Sequence, residues 1–204
     1  IFVHAAGNYS HKVDKPNGID YNNYYTVGDD FAGYIPAGQP IYYHRGGSPW
    51  STNSINVSAA RDIPAYYNKL YYEIVDYYSE RGPGCDVVAP GTNICAGTSK
   101  FSTYGGQQEY AWGQNNISDT SHKVVKISGT SMAAPQVTGV VALYLSRNPG
   151  ATAADCKAWI AKNGIKNQIY SSVINNDWTN PNALLGGPNN FLFNPYRNRF
   201  VDKK

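Results

Sequence analysis

The residues best suited to chemistry form one run at 129–135, Gly-Thr-Ser-Met-Ala-Ala-Pro, with Ser131 in third position. The segment that follows is small or apolar at nearly every position, which predicts a buried helix. A serine at the start of a helix lies beside unpaired backbone N–H groups and a partial positive charge. Such an environment stabilises the oxyanion formed when a serine hydroxyl attacks a carbonyl. The alternative is that Thr130 and Ser131 only cap the helix.

The run at 129–135 resembles, without a gap, the nucleophile motif of the subtilases, the subtilisin-like serine peptidases. Three further segments resemble the family in the family's order: Ala-Ala-Gly-Asn at 5–8, the strand at 55–59, and 79–91 with its Asp-Val-Val-Ala-Pro-Gly ending. Together the matches span residue 1 to about 164. The resemblance implies an α/β class and a subtilisin-like three-layer fold with a mostly parallel sheet, of which this chain supplies the carboxyl-terminal part.

The resemblance also implies roles for single residues. Ser131 would be the nucleophile, and its backbone N–H together with the Asn8 side chain would bind the oxyanion. Taken alone, Asn8 after Gly is as well explained as a turn residue, and the glycosylation sequon that it begins is interpreted as accidental. The substrate-binding positions would be Ala5, Ala6, Gly7, Gly129 and Thr130. Because the first three are small, one wall of the pocket would leave room for a large substrate side chain.

A serine hydroxyl needs a base, which in the subtilases is a His held by an Asp, in the chain order Asp, His, Ser. Both precede the segment that matches 5–8, so the resemblance places neither triad partner within this chain. His44, in a Gly-rich loop, is the best of four weak candidates for a substitute, the others being His4, His11 and His122. Gln136 stands where the family usually has a His with a packing role.

Two functions therefore stay open. One is a serine endopeptidase that works by acyl-enzyme chemistry once the amino-terminal half of the domain supplies the Asp and His, this chain being inactive alone. The other is an inert subtilase-like structural or interaction protein in a larger assembly such as a virion, because 18 tyrosines suit contact surfaces. We expect a polypeptide substrate, no required cofactor and no assigned metal ligands, although the family allows a structural calcium ion.

Composition excludes other classes. The 204 residues suit one domain, and 42% hydrophobic against 15% charged residues predicts a globular chain. A formal net charge of +3 without a Lys/Arg run argues against nucleic-acid binding. No stretch approaches the roughly 18 apolar residues of a spanning helix, so membrane association is not expected. Localisation stays open, with an extracellular or virion-associated setting slightly favoured. Cys85 and Cys95 could pair across a short loop, but unreactive thiols, including Cys156, are favoured.

Periodicity predicts the elements that position these residues. An amphipathic helix is predicted over 63–78, a buried helix over 132–146, and a third helix from a Thr152–Asp155 capping box to Gly164. The segments 9–53 and 63–78 are interpreted as elaborations of a partial subtilase domain spanning 1–204, with a Gly/Gln/Asn-rich loop to about 121 and an irregular tail from about 165. Because the chain opens inside a strand, we expect a segment upstream. Strands are predicted at 2–6, 55–59, 85–89 and 123–127.

Overall fold

A computed structural model describes residues 1–26, 37–47, 50–62, 65–67, 70–99, 109–110, 122–171 and 184–196. The strands in chain order are β1 Phe2–Ala5, β2 Tyr25–Thr26, β3 Pro40–Ile41, β4 Ser54–Ala60, β5 Ala65–Tyr67, β6 Leu70–Val75, β7 Val87–Pro90, β8 Ile94–Ser99, β9 Glu109–Tyr110, β10 His122–Ile127, β11 Ile165–Lys166, β12 Ile169–Ser171 and β13 Asn190–Phe191. The helices are α1 Thr130–Leu145 and α2 Ala153–Asn163, and Tyr43–Arg45 forms one 3₁₀ turn.

The main sheet is built around β4, whose seven residues are all buried. Its strands follow the order β11-β13-β7-β4-β6-β12, while β1 also pairs with β4 and β5 with β6. The pairs that surround the site, β1 with β4 and β4 with β7, are parallel. The mostly parallel α/β sheet expected from the sequence is therefore confirmed. Because parallel strands end at one edge, the residues that follow β1 and β7 come to lie on the same side of the sheet.

Helix α1 lies across β1, β4 and β7 and forms the core with them. The buried side chains of this core are Ile55, Val57, Ala59, Val87, Ala89, Ala133, Ala134, Val137, Val140, Val141, Cys156 and Ile160. The prediction that α1 is buried on nearly every side is wrong for the described structure, since Thr138, Gly139, Ala142 and Leu143 are exposed. Three of those four side chains are small or polar, so their exposure leaves little apolar surface in water.

Helix α2 begins and ends as predicted. The Thr152 hydroxyl accepts a hydrogen bond from the Asp155 backbone N–H at 3.2 Å, and the Asp155 carboxylate accepts one from the Thr152 N–H at 2.8 Å. This reciprocal pair is a capping box. The helix ends at Gly164, whose N–H donates to the Ile160 carbonyl. Both ends of this helix are defined by hydrogen bonds between residues three or four positions apart, which is why the sequence predicted them.

The prediction of a helix over 63–78 is wrong for the described residues, because β5 and β6 are strands there that pair antiparallel. Residues 63, 64, 68 and 69 of that segment lie outside the described part of the chain. The apolar positions of this segment fit a period of 3.6 as well as a strand, and its Tyr, Ile and Val residues favour strands. Pairing decides the outcome, since Val75 of β6 joins Ala60 of the central strand. The loop expected after residue 91 contains β8, which pairs along its length with β10. The tail expected to be irregular contributes β11, β12 and β13 to the main sheet.

The three cysteines are unpaired thiols, so the possible bridge between Cys85 and Cys95 is not formed. Cys85 and Cys156 are buried and Cys95 is exposed. Burial raises the pKa of the Cys85 thiol to about 12. A thiol with so high a pKa carries almost no thiolate near neutral pH and is a poor nucleophile. This agrees with the favoured interpretation of Cys85 as an unreactive small side chain.

A partly buried ammonium group connects α2 to the beginning of β4. Lys157 Nζ donates to the carbonyl oxygens of Ser51 at 3.1 Å and Ser54 at 2.9 Å, and lies 3.1 Å from Asp86 Oδ2. The same group faces the ring of Trp50 at 4.9 Å. Asp86 precedes β7, so one side chain connects the helix with two neighbouring strands of the sheet.

We expect Lys157→Met to lower the free energy of unfolding by about 1–3 kcal/mol, because it removes a charged donor from the Ser51 and Ser54 carbonyls and from the mostly buried Asp86 carboxylate, which keeps the Asn56 N–H. Chemical denaturation followed by circular dichroism measures this loss. Lys162→Met, an exposed position in the same helix, is the control and should change stability by less than about 0.5 kcal/mol. Equal losses in both variants would contradict the role given to Lys157.

Candidate functional site

The segment after β1 meets the start of α1 at one edge of the sheet. Gly7, Asn8 and Thr130 come into hydrogen-bond contact although 122 residues separate Asn8 from Thr130. Gly129 is the N-cap residue of α1, and its N–H donates a hydrogen bond to the Gly91 carbonyl at 2.8 Å. The structure thus brings together two segments that the sequence analysis had connected only through a family resemblance.

Three hydrogen bonds fix the orientation of the Asn8 amide. Asn8 Oδ1 accepts from the Thr130 backbone N–H at 2.9 Å and from the Thr130 hydroxyl at 3.0 Å. The same hydroxyl accepts from the Gly7 N–H at 3.1 Å. Because the amide oxygen receives two donors, the amide nitrogen Nδ2 must occupy the other side of the group. The carboxamide therefore has one defined orientation.

Two N–H donors at the start of α1, Asn8 Nδ2 and the Ser131 backbone N–H, are not used by the hydrogen bonds described above. Within the described residues, no hydrogen bond uses Asn8 Nδ2, and Asn8 is exposed. A Cβ placed on Gly129 would lie 3.5 Å from Asn8 Nδ2, which locates this nitrogen beside the helix start. Ser131 is exposed, and its backbone N–H belongs to the first helical turn, where N–H groups have no partner four residues earlier. Two N–H donors and one hydroxyl are thus grouped at an open surface.

The helix start can approach the sheet because Gly91 has no side chain. A Cβ on Gly91 would come within 2.5 Å of Ala59 Cβ and 2.9 Å of the Gly129 carbonyl oxygen. On the next turn of α1, Gln136 Nε2 donates to the Pro90 carbonyl at 2.5 Å and to the Met132 carbonyl at 3.3 Å. Gln136 therefore holds the helix against the end of β7, as a residue with a packing role would.

The predicted substrate-binding residues differ in how much of their surface is accessible to solvent. Ala5 and Gly7 are partly exposed, whereas Ala6 is 1% exposed and packs with Val13 and Cys85. The Thr130 side chain is 0% exposed and its hydroxyl is used within the Asn8 network. Neither the Ala6 nor the Thr130 side chain presents surface to a ligand.

Glu80 is the titratable group beneath this segment. It is 3% exposed, its Oε2 has no partner, and a Cβ on Gly7 would overlap its carboxyl carbon. Gly7 has a φ of +129°, so both its conformation and its contact with Glu80 require glycine. Burial raises the pKa of Glu80 to about 7, while the Tyr9 backbone N–H favours the ionised form and lowers it.

No base for Ser131 is found among the residues that the structure describes. His44 Nδ1 lies 2.7 Å from the Lys12 carbonyl, and His11 Nδ1 lies 3.9 Å from Glu80 Oε1. No hydrogen bond connects either ring with Ser131 in this part of the chain. Among the described residues, no three His, Cys, Asp or Glu side chains cluster closely enough to hold a metal ion. Nor does either described helix have the length and apolarity that crossing a bilayer demands.

Comparisons with known proteins point to the same family as the run at 129–135. The family model described as the subtilase family matches residues 1–185. Subtilisin-like protease 8 of Arthroderma otae is 30% identical over 123 residues, which are 56% of this chain and 21% of that protein. The uncharacterized protein aq_aa18 of Aquifex aeolicus is 32% identical over 121 residues, 55% of this chain and 50% of that protein.

A cold-adapted subtilisin-like serine proteinase of known structure aligns with 93% of this chain and 43% of its own, with a TM-score of 0.48 and 19% identity. The chain thus spans half or less of the length of the relatives named here.

Sequence reasoning missed two features of the site. It treated Thr130 as a substrate-binding residue, although its hydroxyl orients Asn8 from the interior. It also passed over Glu80, which lies between Ser79 and Arg81 and has the appearance of a surface residue. The only sequence signal was a carboxylate within a segment that already resembled a family strand and turn.

The raised pKa of Glu80 predicts a pH dependence of stability. A carboxyl whose folded-state pKa exceeds its unfolded value of 4.5 binds more protons in the folded protein between these two values. The contribution of Glu80 to the free energy of unfolding is therefore fully present below about pH 4.5. It declines as pH rises toward about 7 and is constant above that value. The decline is at most on the order of 3 kcal/mol. It should appear as a difference between wild type and Glu80→Gln in denaturation curves recorded from pH 4.5 to 8. A difference that does not vary with pH would contradict this assignment.

Proposed function

Because the chain belongs to the subtilase family, we propose that it supplies the nucleophile and the oxyanion donors of a subtilisin-type serine endopeptidase. The His and Asp of the triad would come from the amino-terminal half of the domain. This chain and that half together are called the complete protease domain below. The chain alone is then inactive, because a serine hydroxyl without a base is a weak nucleophile.

The proposed reaction uses each exposed group at the start of α1. Ser131 Oγ attacks the peptide carbonyl carbon while its proton passes to the His of the other half. The carbonyl oxygen becomes negative and is bound by Asn8 Nδ2 and the Ser131 N–H. The His returns the proton to the leaving amine, which leaves an acyl group on Ser131. Water, deprotonated by the same His, then releases the acyl group and restores the hydroxyl.

One observation supports this proposal above all: the Asn8 amide oxygen is bound by Thr130, which leaves its nitrogen near Gly129 at the start of α1. An Asn that only formed a turn would have no need of a partner 122 residues away. Small residues at Ala5 and Gly7 support a polypeptide substrate whose side chain lies along this segment. The alternative, an inert interaction protein, is supported by exposed rings such as Tyr9 at 78% and Tyr77 at 67%.

We expect a fluorophosphonate probe to label Ser131 covalently in the complete protease domain, with the serine oxygen displacing fluoride at phosphorus. The measurement is the mass of the labelled tryptic peptide. Ser131→Ala should give no label at this peptide, and Ser128→Ala, an exposed serine just before the helix, should be labelled as wild type. A complete domain with intact His and Asp that is not labelled would favour the inert alternative.

We expect Asn8→Ala to lower kcat by about 10²–10³ with little change in KM, because the donor acts on the charge of the transition state. This magnitude is the one known for removal of an oxyanion donor in subtilisin itself. Steady-state kinetics on a peptide amide measures it. Asn22→Ala, an exposed asparagine outside this network that contacts Arg45, is the matched control and should keep wild-type kcat. A loss confined to KM would argue against the oxyanion role.

A further inference from the structure

Glu80 contacts the chain on both sides of Asn8. Its backbone N–H donates to the Gly7 carbonyl at 2.9 Å. Its carboxyl group lies directly against the α-carbon of Gly7, where no Cβ could fit. The Tyr9 backbone N–H faces the same carboxyl group and favours its ionised form. One residue thus touches the positions immediately before and after the proposed oxyanion donor.

Glu80 is itself firmly anchored to the sheet. Its carbonyl oxygen accepts hydrogen bonds from the hydroxyls of Ser58 at 2.8 Å and Ser79 at 3.0 Å. Ser58 belongs to β4, and the Ser79 hydroxyl also accepts from the Ala59 N–H at 2.8 Å. The residue that holds the Asn8 segment is therefore attached to the central strand. Through these contacts, Glu80 holds the segment that carries Asn8 at a defined position relative to β4.

The basic side chains near the Glu80 carboxyl group do not form a close ion pair with it. His11 approaches Oε1 at 3.9 Å, and burial together with the neighbouring His44 lowers the pKa of His11. The Arg81 guanidinium donates to the Asp76 and Ser79 carbonyls. The Cys85 thiol lies 4.0 Å from the Glu80 carbonyl oxygen. Oε2 remains without a partner in the interior.

A buried carboxyl group with one unpaired oxygen lowers the stability of the folded protein. We therefore look to function for the reason that Glu80 is present, through the space its carboxyl group fills and the hydrogen bond that it accepts. We propose that Glu80 is a positioning residue that fixes the Gly7–Tyr9 turn and thereby aims Asn8 Nδ2 at the oxyanion. The proposal rests on the proposed function of Asn8. Glu80 does not touch the substrate; it acts through Asn8.

A double-mutant cycle on the complete protease domain tests this role. Glu80→Ala should lower kcat by about tenfold or more and leave KM within about twofold, since a small displacement of a catalytic donor lowers the rate rather than binding. Glu80→Gln keeps the shape and the acceptor oxygen and should retain most of kcat. In the Asn8→Ala background, Glu80→Ala should lower kcat by less than about twofold, because residues that act as a unit are not additive.

Controls separate this outcome from loss of folding. Lys157→Met lowers stability at the opposite end of β4 and should leave kcat unchanged below its unfolding temperature. If Glu80→Ala does not fold, Glu80→Asp withdraws the carboxyl group from Gly7 by one methylene and should show the same loss of kcat and the same non-additivity. Equal loss of kcat with and without Asn8, or unchanged kcat in the Ala and Asp variants, would overturn the proposal. Wild-type activity in Ser131→Ala would instead overturn the proposed function, whatever the Glu80 variants do.

Discussion

The site depends on the hydrogen bonds between Thr130 and Asn8. They satisfy a backbone donor at the start of α1, fix the rotation of a carboxamide, and join the end of β1 to the helix that carries Ser131. A free asparagine side chain could turn either end toward the solvent. With its oxygen bound twice, only the nitrogen is left to face outward. The chemistry proposed for the site follows from this single restriction.

The rest of the fold can be understood as support for that contact. β1 and β7 lie parallel on the two sides of β4, so the segments that follow them reach the same edge. Gly91 allows α1 to lie close to the sheet, and Gln136 holds the helix to the end of β7. At the opposite end of β4, Lys157 fastens α2. The core between these layers consists of small and branched side chains that allow close packing.

The proposed function divides the labour between two parts of a domain. This chain supplies the nucleophile and a preorganised pair of N–H donors, which need no partner to be in place. In this proposal the base comes from the amino-terminal half, and neither His11 nor His44 is hydrogen-bonded to Ser131 in the described part of the chain. Preorganised donors still stabilise an oxyanion only when a nucleophile has been activated. The division therefore predicts a complete donor geometry in a chain that is inactive by itself.

The sequence by itself determined the elements whose causes are local. The motif at 129–135 predicted the helix and its serine, Thr152 and Asp155 predicted the capped start of α2, and alternating residues predicted β4. The tertiary structure decided what depends on contacts between separate segments: the pairing of β6 with β4, the orientation of Asn8 by Thr130, and the place of Glu80 beneath Gly7. Local patterns record the conformation that a segment favours. They do not record which segments the sheet brings together, and a buried Glu is indistinguishable from an exposed one until the strands around it are assembled.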